Sequence, residues 1–153
     1  MAKLVKYIVF HCTGANKFQT VESIKNYWRM PEPKGKGWKS VGYMHLVDYN
    51  GVDHQLATVD QITNGVAGYN ANAIHISYIG GENWKDTRSD AQKATLEKLA
   101  KKYHALYPNA KIVGHRDFSP DKNGNGKIDP SEYMKICPAF EVSTWLKEIG
   151  INQ

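Results

Sequence analysis

A chain of 153 residues, 41% hydrophobic and 23% charged, has room for one domain with a real core and is too apolar for whole-chain disorder. Its 20 Lys and Arg against 15 Asp and Glu give a net charge of +5, which suits a polyanionic partner such as nucleic acid, a membrane face or a bacterial envelope, and the lack of any nucleic-acid-binding motif turns nucleic acid down. Two cysteines exclude a disulfide framework, and no stretch approaches the ~20 apolar residues that a membrane-spanning helix needs.

Leu4 to Cys12 is rich in strand formers and continuously apolar after Lys6, as in a strand buried on both faces. This apolar stretch is too short for a secretory signal, and no small-residue cleavage site follows it, so synthesis as a soluble cytoplasmic chain is expected. Thr20 to Met30 reads as a helix with Thr20 as its N-cap, an apolar stripe of Val21, Ile24, Tyr27 and Trp28, and Pro31 and Pro33 as its stop. Two strand-like runs, Ser40 to Asp48 and Val52 to Ala57, flank Tyr49-Asn50-Gly51, a strong hairpin signal.

Ala73 to Ile79 reads as another strand, closed by Gly80-Gly81. A long helix then starts from Ser89, with Gln92 three residues on as in a capping box, and carries the stripe Leu96, Leu99, Tyr103 and Leu106 up to Pro108. Lys111 to Val113 is a short strand. A last helix is expected over Phe140 to Ile149, burying Phe140, Trp145, Leu146 and Ile149 and stopped by Gly150. Strands with helices between them predict a single α/β domain spanning 1–153, a central mixed β-sheet flanked by helices.

Three potential metal ligands stand in distinctive contexts: His11 in Phe10-His11-Cys12-Thr13, His115 in Gly114-His115-Arg116-Asp117, and Cys137 in Lys135-Ile136-Cys137-Pro138. Two imidazoles and a thiolate make a three-ligand zinc site with a position left for water, and zinc lowers the pKa of such a water to about 7. Taken singly each is weak, since a His at a strand end is more often a hydrogen-bonded structural residue and a lone Cys a small buried one. Cys12 alternates with His11 along the strand and is expected to face the core.

The ordered set of segments resembles the zinc-dependent N-acetylmuramoyl-L-alanine amidases, the family of small phage lysozymes related to peptidoglycan recognition proteins. The matching segments are Phe10-His11-Cys12-Thr13, Val41-Gly42-Tyr43, Gly68-Tyr69-Asn70, the Ile74 to Gly81 strand, Gly114-His115-Arg116-Asp117 and Lys135-Ile136-Cys137-Pro138. The resemblance implies that His11, His115 and Cys137 hold zinc, that Tyr43 is a catalytic tyrosine, and that Lys135 is a catalytic lysine whose ammonium stabilises an oxyanion. It implies cleavage of the amide between N-acetylmuramic acid and L-alanine by a monomeric phage or prophage endolysin that reaches the cell wall after release. A cytosolic muropeptide-recycling amidase and a non-catalytic peptidoglycan-binding module are the alternatives. The chain departs from the family pattern at Met44, where a His is frequent, and at His75, where a Gly is usual, so that His75 is expected to line or reshape the cleft. His45 receives no site role, and His54 and His104 read as surface residues.

A separate motif lies at 121–132. Asp121, Asn123, Asn125, Lys127 (through its carbonyl), Asp129 and Glu132 fall at the ligand positions of a calcium loop, with Gly126 at its turn. The segment reads as an insertion between His115 and Cys137 that binds calcium, against the plainer reading of an Asn-Gly-rich surface loop.

Overall fold

The apolar run near the N-terminus becomes β1 (Tyr7–Cys12), the strand flanked by two parallel neighbours, β4 (Ala73–Tyr78) and β5 (Lys111–Gly114). β2 (His45–Val47) extends the sheet parallel to β4, and β3 (Asp53–Gln55) closes that edge antiparallel, giving the order β3-β2-β4-β1-β5. The structure, a computed structural model, describes residues 4–119, 124 and 136–153. Among the described residues the mixed sheet carries three α-helices: α1 (Val21–Arg29), α2 (Asp90–Leu106) and α3 (Val142–Glu148). The expected single α/β domain is therefore the observed one.

Strand alternation divides the sheet into two faces. Ile8, Phe10, Ile74, Ile76 and Tyr78 pack with Leu96, Leu99 and Tyr103 of α2 and with Trp145 and Leu146 of α3 in the main core. The opposite face is covered by α1, whose Ile24 and Trp28 pack with Leu46 and Ile79. Both sides of the central strands are thus dry, which is why β1 and β4 read as continuous apolar runs. His11, His75 and Ser77 alternate with those core residues and so lie on the face away from α2.

The caps follow the sequence. The Thr20 hydroxyl accepts from the Ser23 amide at the start of α1, and Ser89 and Gln92 form a reciprocal capping box on α2.

Several expectations need correction. The hairpin strands are shorter than the runs of strand-like residues, because Asp48 Oδ1 accepts from the Asn50 and Val52 amides and organises residues 48–52 into the turn. Tyr27 is 45% exposed, since α1 turns Val21, Ile24 and Trp28 to the core and leaves Tyr27 to line a cleft. Leu106 is 59% exposed because the end of α2 reaches a shallow surface depression shared with Leu4. Phe140 is buried but precedes α3, which runs only over Val142–Glu148.

Candidate active site

His11 is the penultimate residue of β1, and His115 directly follows β5. The ends of adjacent parallel strands bring them together although 103 intervening residues separate them, their ring centroids lying 4.9 Å apart. The carboxyl ends of parallel strands are where open α/β sheets place their ligand sites, because loops diverge there and leave a crevice.

Cys137 enters from the segment before α3 and is held on three sides. The Arg116 amide donates to the Cys137 carbonyl at 2.8 Å, the Tyr78 hydroxyl donates to the Pro138 carbonyl at 2.7 Å, and the Cys12 amide donates to Cys137 Sγ at 3.1 Å. Arg116 also pairs with Glu141 at 2.9 Å, tying the His115 turn to the start of α3. Potential ligand atoms of His11, His115 and Cys137 all lie within 4.8 Å of one another.

The electronic state of the cluster suits a metal ion. Burial, followed by the nearness of the His75 and His115 imidazoles, holds the His11 imidazole well below its ordinary pKa, so it is neutral and keeps a lone pair. His11 Nε2 is hydrogen-bonded to His75 Nδ1, whereas His11 Nδ1 is buried with no hydrogen-bond partner among the described residues. A buried imidazole nitrogen left bare beside another imidazole and a thiol fits a borderline-soft cation such as zinc.

Tyr43, in the loop before β2, stands beside the cluster with its ring 4.8 Å from that of His11. Burial, reinforced by the neighbouring Cys137 and Cys12, raises its pKa well above the ordinary value, so the phenol keeps its proton and can donate. Cys12 belongs to the core, as alternation predicts, yet it also touches the site: a hydrogen bond with Cys137 is the largest influence lowering its pKa.

The cluster opens where two clefts meet, with volumes of about 460 and 600 Å³, both lined by Lys36, Trp38, Tyr43 and His115. The first is also lined by Gln19, Tyr27 and Trp84, the second by Asn64, Tyr69 and Phe118. Aromatic faces interspersed with amides and a lysine can hold a ligand that is part sugar and part peptide. Lys36, Trp38 and Trp84 were not legible as site residues, since the Pro- and Gly-rich loop and the turn that carry them have no periodicity to orient a side chain.

His75 does not line the cleft. It is fully buried behind His11, between His11 Nε2 and Asn70 Oδ1. His45 is buried on the other face, where its ring nitrogens meet Asp53 at 2.8 Å and the Tyr103 hydroxyl at 2.6 Å, a structural arrangement in keeping with its lack of a site role. His54 pairs with Asp48 and His104 is half-buried. Lys135 and the proposed calcium ligands Asp121, Asn123, Asn125, Lys127, Asp129 and Glu132 lie outside the described residues.

Comparison with known proteins points in one direction. An uncharacterized protein of Haemophilus influenzae is 41% identical over 92 residues, covering 58% of this chain and 79% of that protein. Among solved structures, the endolysin of the Thermus scotoductus bacteriophage Ph2119 superposes with a TM-score of 0.72 at 22% identity, covering 99% of this chain and 88% of that one. Bumblebee PGRP-SA superposes with a TM-score of 0.70 at 17% identity, covering 96% of this chain and 84% of that one. At such identities the likeness shows a shared fold. A family model described as N-acetylmuramoyl-L-alanine amidase matches residues 1–132, a stretch that contains His11, Tyr43 and His115 and stops short of Cys137. With most of its length matched, the chain belongs to the N-acetylmuramoyl-L-alanine amidase family.

Proposed function

We propose that this chain is a zinc-dependent amidase that hydrolyses the bond between the lactyl group of N-acetylmuramic acid and L-alanine in peptidoglycan, as a phage or prophage endolysin. The observation that carries the reading is the convergence of His11, His115 and Cys137, with ligand atoms within 4.8 Å of one another, at a cleft lined by His115, Cys137 and Tyr43. The two imidazoles and the thiolate would hold zinc and leave a position for water. Bound there, zinc supplies a Lewis acid and a water acidic enough to react near neutral pH.

The chain's own residues do the rest. The Tyr43 hydroxyl, kept protonated, donates to the scissile carbonyl oxygen as negative charge develops on it. Lys135 is assigned a second positive contact to that oxygen, by its place two residues before Cys137. The Cys12 amide, donating to Cys137 Sγ, orients the thiolate and disperses its charge. Trp38 and Trp84 offer faces to sugar rings, and Gln19 and Asn64 offer amides to the stem peptide. Water adds to the carbonyl carbon, the C–N bond breaks, and the nitrogen leaves with a proton as the free amino terminus of L-alanine.

The endolysin role is supported by the fold shared with a phage endolysin and by the +5 charge, which favours an anionic wall. The loop at 121–132 is assigned calcium on its sequence pattern, as a brace for Lys135 and Cys137; unchanged zinc affinity and activity in Asp121→Ala with Glu132→Ala would remove that role.

Clearing of purified cell walls tests the proposal. With calcium kept in excess, chelation of zinc is expected to stop clearing and added zinc to restore it, and Cys137→Ala should slow turnover roughly a thousandfold, about 4 kcal/mol of lost transition-state stabilisation. Full activity after chelation, or in Cys137→Ala, would contradict it. Tight wall binding without cleavage would favour a recognition module.

A further inference from the structure

We propose that His75 and Asn70 form a positioning relay that fixes His11 in the tautomer a metal ligand requires, an inference that rests on the metal-site reading above. The relay begins at a backbone amide. Val66 N–H donates to Asn70 Oδ1 at 2.8 Å, which settles the orientation of the Asn70 carboxamide, because an amide N–H must face oxygen rather than the NH2 group. The same Oδ1 lies 2.8 Å from His75 Nε2, so His75 Nε2 carries a proton and donates. In a neutral imidazole the other nitrogen is then an acceptor. His75 Nδ1 lies 2.8 Å from His11 Nε2, so His11 donates through Nε2 and leaves Nδ1 as a bare lone pair. That Nδ1 is the buried atom without a partner among the described residues, on a ring 4.9 Å from that of His115. Each link fixes the proton position of the next.

The surroundings are shaped for this ring. His75 is on the same face of the sheet as His11, one step back along the neighbouring strand, because Val9 pairs with His75 and His11 with Ser77. Gly65 packs flat against it: a Cβ built there would lie 2.3 Å from His75 Cγ and Nδ1, so a larger residue would displace the imidazole. Asn70 opens the short turn Asn70–Asn72 that leads straight into β4, so the two outer members of the relay are set by one connection. His75 touches no cleft; its role is to orient His11 rather than to meet substrate. Metal-ligating histidines generally donate their second ring nitrogen to an acceptor that sets the tautomer, and here a second histidine serves as that acceptor.

The test reads imidazole proton positions and zinc affinity rather than turnover alone. Long-range proton–nitrogen spectra of the metal-free wild-type protein should show His11 protonated on Nε2 with Nδ1 bare. In His75→Ala that single tautomer should be lost, and zinc measured against a competing chelator should bind roughly 10–100-fold more weakly. His75→Gln should recover most of the affinity, since its carboxamide oxygen can accept from His11 while its NH2 donates to Asn70, a rescue that mere filling of space would not give. A His11 protonated on Nδ1 in the metal-free wild type, unchanged zinc affinity in His75→Ala, or an equal loss in His75→Ala and His75→Gln would each overturn the relay. If His75→Ala does not fold, the wild-type spectrum and His75→Gln still decide. Equal zinc binding by wild type and Cys137→Ala would instead count against the metal site, with the tautomer spectrum still deciding the relay.

Discussion

Gly114 sets how closely the His115 turn can approach the Cys137 segment. A Cβ built at Gly114 would lie 2.7 Å from Pro138 Cδ and 3.1 Å from Val142 Cγ2, and Pro138 Cδ, bonded to its own backbone nitrogen, cannot move far without shifting the chain that carries Cys137. Gly114→Ala is therefore expected to cost about 1–3 kcal/mol of stability by overpacking and to weaken zinc binding at the same time. Urea unfolding and zinc competition on one preparation check both, and stability equal to wild type would show that the approach is looser than drawn. Individual residues were unequally legible in the sequence. His11, His115 and Cys137 stood in recognisable local contexts, and the structure gathers them. His75 was visible only as an oddity, because its meeting with His11 depends on which residues of β1 and β4 pair, and no local signal encodes a parallel register.

At the scale of elements, the N-terminus of α2 links the helix to the sheet. Gln92 is fully buried, and each of its polar atoms is used: Oε1 accepts from the Ser89 amide, while Nε2 donates to the Val47 carbonyl at 3.2 Å and to the Ile79 carbonyl at 3.0 Å. One side chain thus caps α2 and joins it to the chain at the carboxyl ends of β2 and β4. Gln92→Leu keeps the bulk and strands those partners, at an expected cost of about 2 kcal/mol, against about 1 kcal/mol for Ser89→Ala, which removes the cap and the part-buried bond from the Ser89 hydroxyl to the Tyr49 carbonyl but leaves the link to the sheet intact. Denaturant midpoints with unchanged slopes would measure the difference, and a Gln92→Leu protein as stable as Ser89→Ala would show that the link to the sheet contributes little. The capping box was plain in the sequence because it is a contact across three residues. The exposure of Tyr27 and Leu106 was not, since helical spacing identifies a stripe but not how much of it the core covers.

For the whole molecule, the central parallel strands do most of the functional work. β1 and β5 end side by side and present His11 and His115, β4 supplies His75 behind them, and the return of the chain toward α3 delivers Cys137. The alternation of strands and helices made this sheet legible in outline, while the order β3-β2-β4-β1-β5 and the meeting of two clefts at the cluster emerge only from the packed fold. The arrangement implies cleavage of one particular bond, so the nature of the products is decisive. Purified peptidoglycan incubated with the zinc-loaded protein should release intact stem peptides bearing free L-alanine amino termini, identified by mass spectrometry, and Cys137→Ala should release them roughly a thousandfold more slowly. Products cut within the glycan strand or between stem peptides, or the same release from Cys137→Ala, would contradict a zinc amidase centred on His11, His115 and Cys137.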